Sequence, residues 1–455
     1  MNALKVENDL GRDKISRLVF RIAIPSMMAQ FVSVLYSIVD RMFVGNIPGI
    51  GDVSLAGVGI CGPIVTMIGA FAFLIGVGGS PLMGIAMGSG NQKKAERILG
   101  NCFAMLGVIG VLVTIVVLAL KGPMLRLFGA SDVTYPYAER YFTVYASGTV
   151  FALMSTGMGQ FIYAQGYAKV GMSAVILGAV MNIILDPIFI FVFHMGVQGA
   201  AFATSLSQAA SAAFVLIFLF KRADVRITFG RYSVKLMLRI LQLGLTPFLI
   251  IAFDNVMIIG MNAMLQKYGG AAGDTLITIN TIVQSFMLVL TMPLGGISGG
   301  TQCILSYNYG AGQTDRVNHA EKYIIGYCVA YAALMFILSW VAGRQFVSMF
   351  TSDAQLNAAA CRAIRICTLA IIPLGAQYAI VDGFTGLGKV QFSLPLSVWR
   401  KVVFFTSIFV IPQFLEASAI FYAEPISDVL AICVTLPVFL FARKRILIPQ
   451  QNIET

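Results

Sequence analysis

A chain of 455 residues that is 58% hydrophobic and only 11% charged is excluded from the soluble globular class, whose charged share is about 25%. Its net charge of +11 does not call for nucleic acid, because the basic residues sit in short segments between apolar runs, where membrane orientation places them. The composition defines an all-α polytopic membrane protein with no soluble domain.

The chain opens on the polar segment MNALKVENDLGRDKISR, which lacks the apolar core and cleavage site of a signal peptide. Runs of about 20 apolar residues, each long enough to cross a bilayer, then recur. They predict twelve spans: 17–44, 55–84, 97–120, 136–160, 170–194 and 198–220, then 238–264, 276–306, 320–343, 361–386, 393–413 and 418–441.

The first span carries Ser26, Gln30, Ser33, Ser37 and Asp40 at spacings of 4, 3, 4 and 3, one face of a helix. In lipid such a face must turn toward protein or water. Serine and glutamine there could serve only as interhelical glue, but Asp40 favours function. The fifth span contains MNIILDPIFIFVF, apolar except for Asn182 and Asp186. A carboxylate deep in a membrane helix costs about 3 kcal/mol or more and marks a functional position. Pro187 follows and frees a backbone carbonyl one turn back. Asn182 lies four residues before Asp186 and shares its face. The sixth span adds Thr204 and Gln208 on one face.

Asp40, Asn182, Asp186 and Thr204 together offer only hard oxygen ligands, suited to a proton or a small hard cation such as sodium rather than a transition metal. Two carboxylates in one low-dielectric pocket resist double ionisation, so one can hold a proton and exchange it for a cation. The blander alternative is a carboxyl that only hydrogen-bonds a neighbouring helix. The second half carries other acids: Asp254 in the seventh span, Asp382 near the end of the tenth, and Glu424 and Asp428 in the twelfth, with Arg400 as a candidate partner. Structural ion pairing and function are both open readings for these.

If the N-terminus is cytoplasmic, the inner side receives Lys5, Arg12, Lys14, Arg17, Arg21, Lys93, Lys94, Arg97, the cluster Lys221–Arg239 and the tail Arg443, Lys444 and Arg445. The outer side receives few, such as Arg41, Lys121 and Arg140. The bias predicts both termini inside a cell membrane.

The halves repeat. GSGNQKKAE at 88–96 matches GAGQTDRVN at 310–318 with an offset of 222, and Pro25 matches Pro247 at the same offset. LFGASD echoes MFTSD, and QGYAK at 165–169 echoes TGLGK at 385–389 with an offset of 220. Two six-helix bundles related by a pseudo-twofold axis along the membrane normal follow: a first lobe at 1–220, a basic linker at 221–237 and a second lobe at 238–455. At these offsets Asp40 and Asp186 correspond to Asn262 and Thr406, so the lobes are chemically unequal.

Enzyme signals are poor. There are two histidines, His194 and His319, and neither a zinc-binding HExxH nor a phosphate-binding GxxxxGK[ST] motif. The seven cysteines, among them Cys61, Cys303, Cys328 and Cys433, lie mostly in apolar runs and read as buried free thiols. Twenty-two methionines and 33 phenylalanines suit either ordinary helix packing or a cavity for varied apolar ligands.

Ile24-Pro25 followed by VDRMFVGN in the first span, the Gly-x-Gly-Asn turn at 88–91, NIILDP at 182–187, GAAFAT at 199–204 and the six-plus-six repeat together resemble the multidrug and toxic compound extrusion (MATE) transporters, particularly the prokaryotic branch of staphylococcal MepA-like pumps. The resemblance covers almost the whole chain. It implies a V-shaped fold of two lobes and export of amphiphilic or cationic drugs in exchange for protons or sodium, with no cofactor. It places the family's first-lobe cation site on Asp40, Asn182, Asp186 and Thr204, with Tyr36 in the same network. Some members also use an acid in the seventh span, here Asp254, and an Asp in the tenth; that second position falls on Leu374 or Gly375, with Asp382 one or two turns later. The expectation is a cation-coupled antiporter, acting as a monomer in the bilayer on small amphiphilic substrates and binding no nucleic acid. The alternative within the wider superfamily is a flippase for a lipid or lipid-linked sugar. A non-transporting receptor or intramembrane enzyme is the third reading.

Overall fold

The structure is a computed structural model that describes residues 8–351 and 353–446. Lys5 and Ser352 of the MFTSD echo fall outside them, and the side chains of Arg443, Lys444 and Arg445 are not described. All regular structure among the described residues is helical: α1 Ile15–Gly45, α2 Gly51–Gly88, α3 Gln92–Leu127, α4 Tyr135–Ser147, α5 Thr149–Ala164, α6 Ala168–Pro187, α7 Val197–Lys221, α8 Val234–Gly269, α9 Gly273–Gly310, α10 Thr314–Val341, α11 Gly343–Ser348, α12 Ala354–Cys367, α13 Ile371–Gly386, α14 Val390–Phe414 and α15 Ala423–Ile446.

Nine helical stretches among the described residues are long and apolar enough to cross a membrane. One of them, Val234–Gly310, is a hairpin: Gly270 takes a φ of 53° between α8 and α9, and Asn280 donates to Asn262 across it at 2.8 Å. The pair α12–α13 passes the same test as one broken span, and α4 and α5 lie where the predicted span 136–160 was expected, so the count of twelve is reached only when that shorter pair is added. The predicted continuous helices at 136–160 and 361–386 are therefore corrected. The first is interrupted at Gly148, where a Cβ would collide with Ser205 of α7. The second bends by 48° between Cys367 and Ile371. The predicted span 170–194 likewise ends its α-helix at Pro187 and continues as a π-helical turn, Ile188–Val192. Proline has no N–H to give the preceding turn, so the hydrogen-bond ladder is re-registered there.

Side chains such as Val108, Val111, Leu112 and Ile115 on α3 are about half exposed; in this chain they face lipid. Six cysteines are buried and free as expected, but Cys433 is exposed.

The bundles meet at the end that carries the 88–91 and 310–313 turns, the N-terminal segment and the linker, hereafter the basic end. There α2 packs along α8, and α1 along α9. Gly88 lies against the Tyr307 backbone and Gly310 against the Ile85 backbone. The repeat offset of 222 carries Gly88 onto Gly310 and Ile85 onto Tyr307, so these are one contact seen from either half. Gly84 sits on Ser306, its own repeat equivalent, which places that contact on the pseudo-twofold axis. The N-terminal segment straps this end across both bundles. Asn8 donates to the Gly166 carbonyl at 2.9 Å, while Asn308 and Arg316 donate to the Leu10 carbonyl at 2.9 and 3.1 Å. The segment after α7 is pinned to the first bundle, with Gln165 and Val225 exchanging two hydrogen bonds of 2.8 and 3.2 Å.

Candidate functional site

The polar stripe of α1 divides between two neighbours. Toward the basic end, Ser26 and Gln30 lie against Gly300 and Gly296 of α9 in the other bundle. Toward the opposite end, Asp40 turns into its own bundle and meets Asp186 of α6. The two carboxyl groups are close enough to interact side chain to side chain. Asp186 and Asn182 are buried, at 0% and 1% exposure.

Asn182 organises the pair. Its Nδ2 donates to Asp186 Oδ1 at 3.2 Å and to Thr204 Oγ1 of α7 at 3.3 Å. The helical spacing of 182 and 186 sets the first bond, and the packing of α6 on α7 sets the second. Asp40 Oδ1, Asp186 Oδ2, Asn182 Oδ1 and Gln208 Oε1 are buried acceptors without a donor. An unsatisfied buried acceptor is costly, and a pair of facing carboxyls lacks any donor of its own. A shared proton or a small hard cation supplies what the set needs, so the donor chemistry fits either. No cluster of three or more His, Cys, Asp or Glu suited to a metal occurs among the described residues.

The structure adds residues that sequence reasoning missed. Tyr141 and Tyr145 of α4 stack with ring centroids 6.1 Å apart. Tyr141 lies near both Asp40 and Asp186, and Tyr145 lies beside the Gln208 side chain. Tyr36 lies near both Tyr145 and Asp40. The signal in the sequence was the four-residue spacing of these two tyrosines within the predicted span 136–160.

The second-bundle acids are not brought to this site. Arg400 Nε donates to Asp428 Oδ1 at 2.7 Å, and its Nη2 donates to Glu424 Oε1 at 2.9 Å. Lys401, which the sequence reading overlooked, pairs with Asp254. Its ammonium end is buried while Asp254 is 46% exposed. Asp382 accepts a hydrogen bond from Ser298 of α9. The repeat explains the arrangement. With an offset of 220, Thr204 and Gln208 correspond to Glu424 and Asp428. Acids absent from the positions of Asp40 and Asp186 thus appear on the other wall of the second bundle, where a guanidinium matches them.

A buried ion network of this kind is sensitive to loss of one partner. Arg400→Met should leave Asp428, which is 0% exposed, uncompensated, at a cost of about 3–5 kcal/mol. Thermal unfolding in detergent should show a clearly lowered midpoint for Arg400→Met, partly restored by adding Asp428→Leu. An unchanged midpoint in the single variant would show that the network carries no stability.

Two repeated helical halves with lipid-facing walls, the first of them holding a buried carboxylate pair, define a membrane transporter rather than an enzyme. The chain belongs to the MATE family: the MatE family model matches it twice, over residues 25–188 and 251–408, one copy per half. Among curated relatives it is 23% identical to Multidrug export protein MepA of Staphylococcus haemolyticus, over 94% of this chain and 93% of that protein. It is 21% identical to Multidrug export protein MepA of Staphylococcus aureus, with 96% of each covered. Its fold matches the outward-facing conformation of a multidrug resistance MATE family transporter, with a TM-score of 0.88, 24% identity and 99% of both chains covered. It also matches a MATE crystal structure in the straight conformation, with a TM-score of 0.89, 23% identity and coverage of 99% and 100%.

Proposed function

We propose that this protein is a cation-coupled antiporter that exports amphiphilic or cationic organic compounds by alternating access. The observation that carries the reading is the Asp40–Asp186 pair, held by Asn182 and Thr204 with unpartnered acceptor oxygens in a buried pocket. The coupling ion is a proton or sodium. Its arrival between the carboxyls relieves their mutual repulsion and ties α1 to α6. Its departure leaves the pocket charged and favours a different arrangement of α1. Since α1 also packs along α9 of the other bundle, ion binding is linked to how the bundles meet. Linkage requires only that ion and substrate favour different states, not that they share atoms.

In this reading the lobes are residues 1–220 and 238–455, with 221–237 as the linker. The basic end with both termini faces the cytoplasm, the membrane is the cell membrane, and the working unit is a monomer. The second-bundle acids Asp254, Asp382 and Asp428 act mainly in structure, because Lys401, Ser298 and Arg400 already engage them. The buried cations Arg400 and Lys401 are matched by carboxylates, which weighs against a basic cavity for a lipid-linked sugar.

The test is transport in proteoliposomes containing the purified chain, with proton and sodium gradients imposed separately and a fluorescent organic cation as substrate. Substrate movement against its gradient should follow at least one ion gradient and collapse when that gradient is dissipated. Movement under neither gradient, together with scrambling of a fluorescent lipid, would replace this reading with the flippase.

A further inference from the structure

Apart from the carboxylate pair and the Arg400 network, a further charged feature stands at the basic end. A groove of about 300 Å³ opens at the basic end, lined by Ser16, Arg17, Phe20 and Arg21 of α1 and Tyr327 of α10. These helices come from different halves of the repeat, so the groove lies on the seam between the bundles. Phe20 is 52% exposed, and its ring lies 6.2 Å from that of Tyr327, making an apolar wall. Arg17 and Arg21 stand one helical turn apart on the same face. The first turn of α1 contains no acid, so the positive end of the helix dipole adds to the arginines instead of being offset. Among the described residues the acid paired with these arginines is Asp13, 3.5 Å from an Arg21 side chain that is itself 52% exposed. Arg17 has no ion-pair partner among the described residues.

The other half of the repeat shows what this groove would be if it were only packing. At the offset of 222, Arg17 corresponds to Arg239, but Phe20, Arg21 and Tyr327 correspond to Gln242, Leu243 and Met105. Leu243 and Met105 are buried. The chain after α7 covers that side: the Thr228 carbonyl lies on Gly100, and Phe229 packs against Phe103. The uncovered groove therefore carries a second arginine and the aromatic pair, whereas the covered side keeps the single Arg239, with a glutamine and two buried apolar side chains at the other positions.

We propose that this groove binds an anionic phospholipid of the leaflet at the basic end. The headgroup phosphate sits on Arg17 and Arg21, with the Ser16 hydroxyl as a further donor. The glycerol and upper acyl segment lie on Phe20 and Tyr327. Guanidinium groups engage phosphate oxygens in bidentate geometry, aromatic rings sit at the membrane interface, and basic pockets between membrane helices take anionic headgroups. A lipid on this seam touches both bundles and stabilises the arrangement in which they are closed at this end, by mass action.

The experiment uses the full chain in a mild neutral detergent, with native mass spectrometry and thermal unfolding as readouts. Phosphatidylglycerol should remain bound and raise the unfolding midpoint; phosphatidylcholine and inorganic phosphate should do neither. The double variant Arg17→Gln with Arg21→Gln should lose phosphatidylglycerol by about tenfold or more, the scale of a lost charged contact. Arg17→Lys with Arg21→Lys should keep part of it. Lys235→Gln with Arg239→Gln removes the same charge from the repeat-equivalent side and should bind as wild type does. Retained lipid in the first double variant overturns the proposal, as does equal loss in the last. An equal stabilisation by inorganic phosphate would identify a free-anion site instead and overturn it too.

Discussion

Asp186→Asn should abolish ion-driven efflux while leaving the fold intact. The substitution is isosteric, and the new amide can donate to the Asp40 carboxyl, which has a buried oxygen without a donor. Packing around this fully buried position is kept, and thermal stability in detergent should hold or rise, because a charge leaves a low-dielectric pocket. What disappears is the second negative charge. With one carboxylate the site has no reason to exchange a cation as the bundles rearrange, so transport should fall by more than about tenfold, equivalent to over ~1.4 kcal/mol of coupling. Asp40→Asn should do the same, and the double variant should add little, since both single changes break one unit. Initial rates of dye efflux at equal protein content measure this. Wild-type rates in both single variants would remove the carboxylate pair from the mechanism.

The second large effect lies at the seam. Gly244→Val should drive the bundles apart at the basic end. A Cβ at Gly244 would fall inside contact distance of the Leu74 backbone carbonyl of α2. A backbone atom within a packed helix cannot yield as a flexible side chain can, so the helices must separate. Overpacking of this kind costs about 1–3 kcal/mol, and ~2 kcal/mol shifts an equilibrium between closed and open seams about thirtyfold. Spin labels at Lys93→Cys and Asp315→Cys, exposed repeat equivalents next to the two turns, read the separation directly in a background where the exposed Cys433 is serine. The distance distribution should broaden and move outward. An unchanged distribution, with unchanged stability, would show that the seam does not need this glycine.

The carboxylate pair was legible because membrane burial makes each acid conspicuous, and helical spacing shows which neighbour shares its face. Asn182 and Asp186 needed no tertiary information beyond that. Bringing Asp40 to Asp186 did need it, since only the packing of α1 on α6 joins residues 146 positions apart in the chain. Tyr141 and Tyr145 were missed because an apolar ring with one hydroxyl reads equally well as core. Lys401 was missed because it stands beside Arg400 in an apolar run, and adjacent helical residues point in different directions. Arg400 reaches α15 while Lys401 reaches α8.

By itself the sequence determined that this is a membrane protein of repeated helical halves with two acids on inward-facing stripes. Those properties are set residue by residue, through transfer cost and helical period. The tertiary structure alone decided where helices break, which acids are answered by a cation and which are left facing each other, and which side of the repeat is covered by the connecting chain. These depend on what lies across a helix interface, and a linear pattern of polarity records the face a residue presents but not the atom that meets it.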